Sequence, residues 1–156
     1  MDHRVRKIIS GGQTGADRAG LDAAIDLGMD YGGSIPKGRR TEDGALPERY
    51  SNIIELDTTS YPARTEKNLM DSDATIIFTY TEMGSGSVLT IELAKKHNEP
   101  YLHINLEDKR NGDAIREVSE WLDRVKPEVL NVAGSRESGA EGIYNRVYGI
   151  MKAVLK

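Results

Sequence analysis

The chain has 156 residues, 38% of them hydrophobic and 29% charged, a size and balance that fit one soluble domain with a real core. No apolar run approaches the roughly 20 residues of a bilayer-crossing helix, so membrane insertion is not expected. A net charge of −4 disfavours broad binding to nucleic acid, and the lack of cysteine removes disulfides, Cys-ligated metal sites and a thiol nucleophile.

The charged opening from Met1 to Lys7 leads straight into a core-like strand and leaves no room for a secretory signal, which predicts a cytoplasmic location. Val5 to Ile9 reads as that strand. After it comes Ser10-Gly11-Gly12-Gln13-Thr14-Gly15-Ala16-Asp17, which opens a helix running from Gly15 to Leu27. Arg18, Asp22 and Asp26 recur every fourth position opposite an apolar face of Ala16, Ala19, Ala23 and Leu27, and Gly28 stops the helix. A strand, a glycine turn and a helix in that order present bare backbone N–H groups to an anion at the positive end of the helix.

Tyr31 to Asn52 breaks the rhythm, with glycines and prolines scattered between Gly32 and Gly44 and no helical period. Long irregular stretches in compact domains are functional or mobile, and this one is the candidate lid. Ile53 to Leu56 reads as a short strand, though a run this brief is not separated from a buried helical turn by pattern alone. Ser60 caps a helix that carries Pro62 in its first turn and runs to about Met70, and Ala74 to Thr79 is a buried, β-branched strand. Beyond Gly84 and Gly86, Ser87 to His97 reads as a helix, and Tyr101 to Ile104 as the next strand. Ile115, Val118, Leu122 and Val125 line an amphipathic helix that ends before Pro127, with Trp121 packed on it. Val129 to Val132 is a strand, and Ile143, Val147, Ile150, Met151 and Val154 mark the closing helix. The alternation predicts an α/β fold, a Rossmann-like three-layer sandwich with a mostly parallel sheet, as a single domain over residues 1–156.

The carboxyl ends of parallel strands line the ligand crevice of such a sheet. Glycine turns follow three of the predicted strands, so Gly11, Gly12, Gln13, Thr14 and Gly15, then Gly84, Ser85, Gly86, Ser87 and Thr90, and then Gly134 and Ser135 fall on one edge. Each turn alone is explained equally well by steric need for glycine; together they favour a ligand site. The first turn lacks Gly-x-Gly-x-x-Gly spacing and no Gly-x-x-x-x-Gly-Lys-Ser/Thr occurs, which disfavours dinucleotide and P-loop chemistry.

Lys37, Arg39 and Arg40 cluster in the irregular segment of an otherwise acidic chain, and with Arg64 they suit an anionic group. The alternative for the cluster is a solvated loop paired with Glu42, Asp43 and Glu48. Asp17 and Glu92 stand early in their helices, where a carboxylate either bonds a ligand hydroxyl, amine or ring nitrogen or complements the helix dipole. His3, His97 and His103 lie far apart without ligand spacing, so no protein-bound metal is expected.

The segments Ile9 to Asp17, Pro36 to Arg40 with Glu42-Asp43-Gly44, Tyr61 with Arg64-Thr65 and Asn68, Asp71 to Ala74, and Leu130 to Glu137 together resemble the putative molybdenum carrier family. That family is similar to molybdenum cofactor carriers and, more remotely, to the Lonely Guy phosphoribohydrolases and Rossmann-like nucleotide sensors. The resemblance implies a homo-oligomer with a pocket for a phosphorylated pterin or nucleotide, and molybdenum cofactor (molybdopterin) as cargo. Cargo that holds its metal on its own dithiolene asks the protein only for phosphate and ring contacts. The alternatives are a nucleotide-cleaving enzyme and a nucleotide sensor. For the enzyme, the Lonely Guy pattern Pro-Gly-Gly-x-Gly-Thr-x-x-Glu is echoed by Gly84 to Glu92, with Glu92 as the catalytic candidate, but the proline, two of the three glycines and the threonine are missing.

Overall fold

The structure is a computed structural model and describes residues 3–156. Six parallel strands form one sheet: β1 (Lys7–Ile9), β2 (Asp30–Ile35), β5 (Ile53–Glu55), β6 (Ala74–Thr79), β7 (Tyr101–Asn105) and β8 (Val129–Gly134), in the spatial order β5-β2-β1-β8-β6-β7. A two-stranded antiparallel hairpin, β3 (Arg40–Thr41) and β4 (Gly44–Ala45), stands apart from it. The helices are α1 (Ala16–Asp26), α2 (Tyr61–Met70), α3 (Ser85–Lys96), α4 (Asn111–Val125) and α5 (Ile143–Leu155). Helices α1, α4 and α5 pack together on one face, and α2 packs on α3 over the other. This is the Rossmann-like three-layer sandwich, with a parallel sheet that buries both faces.

The last strand, β8, is inserted between β1 and β6, at the centre of the sheet. Strands β1, β8 and β6 are therefore neighbours, and the three glycine turns that follow them crowd one stretch of the carboxyl edge. Burial explains the strand sequences: Ile8, Ile76, Phe78, Ile104, Leu130 and Val132 are buried, and so are Val118, Leu122, Val147, Ile150, Met151 and Val154 from α4 and α5. Trp121 belongs to the same core.

The predicted helices and strands are present with shifted ends, apart from one element. Strand β1 begins at Lys7 rather than Val5, and α3 begins at Ser85 rather than Ser87. The larger correction concerns Tyr31 to Asn52, whose first part is not irregular. Asp30–Ile35 is an interior strand that pairs with β1 along Asp30 to Gly32 and with the edge strand β5 along Gly33 to Ile35. Paired glycines in Asp-Tyr-Gly-Gly-Ser-Ile hide it, because the strand is held by its neighbours and has little apolar pattern of its own. Where β1 ends, Asn68 of α2 takes over: its Oδ1 accepts from the Ser34 amide at 2.8 Å and its Nδ2 donates to the Ser34 carbonyl at 3.1 Å. A side chain thus completes the ladder that a longer β1 would have made.

Ser60 caps α2 as expected, accepting from the Ala63 amide at 3.1 Å. None of the described helices is long and apolar enough to cross a membrane.

Candidate functional site

A cavity of about 690 Å³ opens between α2 and α3 over the carboxyl ends of β1 and β8. The first glycine turn contributes Gly11, Gln13 and Asp17; α2 contributes Tyr61, Arg64 and Asn68; the second turn contributes Gly84, Ser85, Gly86, Ser87 and Thr90. From the third come Gly134, Ser135 and Arg136, and Asn131 reaches it from within β8. The fold thus brings together residues of all three glycine turns. Gly12, Thr14 and Gly15 of the first turn do not line the cavity.

The two helix starts at the cavity differ in how their amides are used. At α1 most of the donors are already taken: Gly12 N–H by Ser10 Oγ at 3.2 Å, Gln13 N–H by Asp17 Oδ2 at 3.3 Å, Thr14 N–H by Gln13 Oε1 at 3.1 Å, and Ala16 N–H by the Ser135 carbonyl at 3.1 Å. At α3, Gly84 provides no side-chain cap, and the Ser85, Gly86 and Ser87 amides have no partner among the described residues. Orphan donors at a helix start are suited to an anion. The open one belongs to the second turn, whereas the first is locked into the protein. Thr90 contributes little of its own hydroxyl proton, which goes back to the Gly86 carbonyl at 2.9 Å.

Opposite α3, Ser135 is only 7% exposed and its Oγ has no hydrogen-bond partner. Leaving a buried hydroxyl unpaired costs about 1–3 kcal/mol. A ligand oxygen in the cavity would satisfy it. Arg64 is partly buried beside the first turn, its Nη1 donating to the Gly11 carbonyl at 2.8 Å and its guanidinium lying 5.5 Å from the centre of the Tyr61 ring. Burial lowers its pKa, against the pull of Asp17. Asp17 is 8% exposed, and burial raises its pKa to about 6 against the opposing influence of Arg64, the Gln13 amide, Arg18 and Arg136. The cavity therefore joins unspent donors and guanidinium groups to one reluctant carboxylate.

The basic cluster of the sequence lies elsewhere. Lys37, Arg39 and Arg40 do not line the cavity. Arg39 has φ 51° and spends its guanidinium on backbone carbonyls of Ile53, Pro47 and Tyr50 at 3.3 to 3.4 Å, which ties the chain before the hairpin to the loop after it. Lys37 and Arg40 are exposed. Glu92 is exposed on α3 and also outside the lining.

Behind the cavity, the hairpin tip is latched to the first and third turns. Glu42 accepts from the Thr14 hydroxyl, from the Ser138 amide at 3.1 Å and from the Ser138 hydroxyl, and its own amide donates to Gln13 Oε1 at 2.9 Å. Asp43 pairs with Arg18 at 2.9 Å. The hairpin that follows β2 is thus bonded to Gln13 and Ser138, both of which line the cavity.

Asn131 is one of the lining residues that the sequence did not single out as a site residue, along with Tyr61, Asn68 and Ser138. An asparagine in the middle of the apolar run Val-Leu-Asn-Val-Ala was the available signal, since a polar side chain buried in a strand must find partners.

A parallel sheet with a polar cavity at the carboxyl ends of its central strands defines a Rossmann-like fold with a candidate ligand site where such folds place theirs. More narrowly, residues 8–155 match the circularly permutated YpsA SLOG family, and the chain belongs to it. The central position of the last strand fits a permuted order of elements. A crystal structure of a putative molybdenum carrier protein from Syntrophus aciditrophicus SB is similar along the whole chain, with 41% sequence identity, a TM-score of 0.95, and coverage of 100% of this chain and 98% of that one. No curated protein matches.

Proposed function

We propose that the protein binds a small phosphorylated ligand in this cavity and serves as a carrier of molybdenum cofactor. One observation carries the reading: the unpaired amides of Ser85 to Ser87 and the buried, unpaired hydroxyl of Ser135 line the same cavity as Arg64 and Arg136. Amide donors at a helix start, a hydroxyl and guanidinium forks are the groups that hold a terminal phosphate. The cargo's metal stays on its own dithiolene, so the protein has to grip only phosphate and ring. The name of the 41% identical structure supports the choice of cargo. The resemblance further implies one cytoplasmic domain acting as a homo-oligomer, and light scattering on the purified protein tests the assembly.

The enzyme alternative draws no support from Glu92, whose side chain is exposed and away from the cavity. Native mass spectrometry of the protein as purified, with metal analysis, tests the carrier reading. The expected result is a bound phosphorylated pterin with molybdenum. Sustained release of free base from nucleoside monophosphates, abolished by Glu92→Gln, overturns it in favour of the enzyme.

A further inference from the structure

The cavity holds a second set of groups whose chemistry is opposite to that of a phosphate site. Asp17 donates nothing, and of its carboxylate oxygens only Oδ2 has a partner among the described residues, the Gln13 amide at 3.3 Å. An ionised carboxylate has about four acceptor positions, so most of its capacity is unspent. It would repel a ligand that was phosphate alone.

Asn131 points the same way, and its orientation can be deduced. It is 3% exposed, and its Nδ2 donates to Thr75 Oγ1 at 3.2 Å. Thr75 Oγ1 in turn donates its single proton to Glu99 Oε1 at 2.7 Å. A carboxylate only accepts, so Thr75 must give its proton to Glu99 and can only accept from Asn131. The amide nitrogen of Asn131 is therefore committed to Thr75. Its Oδ1, with no partner among the described residues, remains as an acceptor for the cavity that Asn131 lines. Tyr61, 39% exposed, adds a ring at the same cavity, and Pro62, Leu89 and Ala133 add apolar wall.

Phosphate-binding donors and two committed acceptors in one cavity call for a ligand with both characters. We propose that Asp17 and Asn131 form an accepting wall that reads the ring N–H and exocyclic amino hydrogens of a flat 2-amino-4-oxo heterocycle attached to the phosphate. That edge is shared by guanine and by pterins. Carboxylates and amide oxygens are the groups that pair with such donors, and the apolar wall suits a flat ring. Arg136 and Arg64 balance the charge of the phosphate, which leaves Asp17 free to select the ring. The inference rests on the phosphate reading given above.

Titration calorimetry on the purified protein separates the two ideas. The probes are guanosine 5′-monophosphate, phosphorylated 6-hydroxymethylpterin, an analogue of each lacking the 2-amino group, and ribose 5-phosphate. At least one 2-amino compound is expected to bind about tenfold more tightly than its deamino analogue, the scale of one hydrogen bond to a charged acceptor. Asp17→Asn and, independently, Asn131→Leu should shrink that ratio towards one while ribose 5-phosphate still binds. The better of the two 2-amino compounds tells purine from pterin. Binding of ribose 5-phosphate with no preference for the 2-amino compounds overturns the accepting wall and leaves the phosphate site standing. Failure of every probe to bind overturns both. Circular dichroism confirms that each variant is folded, and Thr75→Val, which releases the Asn131 amide to turn, should lower the ratio without touching the cavity lining.

Discussion

The guanidinium of Arg64 occupies the space a side chain at position 11 would need. Its Nη1 donates to the Gly11 carbonyl at 2.8 Å, and a β-carbon built on residue 11 would lie 2.3 Å from that same nitrogen. The opening glycine turn is therefore glycine at this position to admit an arginine from α2. Its bare backbone serves a protein cation, and through it the cavity, more than it serves a ligand directly.

Gly11→Ala should displace Arg64 and leave the fold intact, because the obstacle is the far end of a flexible side chain. The expected outcome is about a tenfold loss of affinity for ribose 5-phosphate, since a charge-assisted contact to phosphate contributes about 1.5–3 kcal/mol. Calorimetry checks it. Unchanged affinity with a folded variant would remove Arg64 from the phosphate site.

Gly15→Ala should behave differently. Residue 15 has φ 77°, and an added β-carbon would stand 2.3 Å from the Ser135 carbonyl oxygen, a backbone atom that cannot swing aside. Strain of this kind costs about 1–3 kcal/mol, and in a chain this size each kcal/mol is about 2–4 °C of melting temperature. Thermal unfolding should show a loss of several degrees, in contrast to Gly11→Ala.

Asp17→Asn tests the buried carboxylate through pH. Burial raises the Asp17 pKa from 3.8 to about 6, so the folded state holds the proton more tightly than the unfolded chain does. The stabilisation linked to that proton is fully present below about pH 4 and is lost as pH rises through about 6. Relative to wild type, Asp17→Asn should therefore gain stability between pH 4 and pH 8, by up to about 3 kcal/mol at about 1.4 kcal/mol per pKa unit. Denaturant titrations at the two ends measure the difference. A constant difference across that range would place the Asp17 titration elsewhere.

Arg39→Ala should weaken the fold and spare the site. Its guanidinium bonds three backbone carbonyls around the hairpin and lines no part of the cavity. The expected cost is about 1–3 kcal/mol, with affinity for ribose 5-phosphate within about twofold of wild type. A loss of affinity at unchanged stability would return the basic loop to the binding site.

Glu42→Ala should release the hairpin. With its bonds to Thr14 and Ser138 gone, amide hydrogens of residues 40–46 should exchange faster while those of β6 and β8 stay protected. Hydrogen exchange read by mass spectrometry decides this. Equal protection of the hairpin in both proteins would mean that the latch does not hold it.

By itself the sequence determined the alternation of strands and helices, the buried run Ala74 to Thr79, the Ser60 cap and the placing of three glycine turns at strand ends. These are local features: apolar period, capping chemistry and turn residues act over a few positions and are written where they act. Only the tertiary structure decided that β8 lies between β1 and β6, and so that the three turns meet at one cavity. It also revealed β2, a strand built from glycines and held by β1, β5 and Asn68, whose stability comes from residues distant in the chain. The division of labour among polar groups was equally beyond the sequence. Arg39 and Arg64 look alike as letters; one is spent on backbone carbonyls of a loop and the other lines the cavity, because a guanidinium's role depends on which acceptors the folded chain brings within reach. For the same reason the open helix start is that of α3 and not of α1, whose donors are met by Ser10, Gln13, Asp17 and the Ser135 carbonyl.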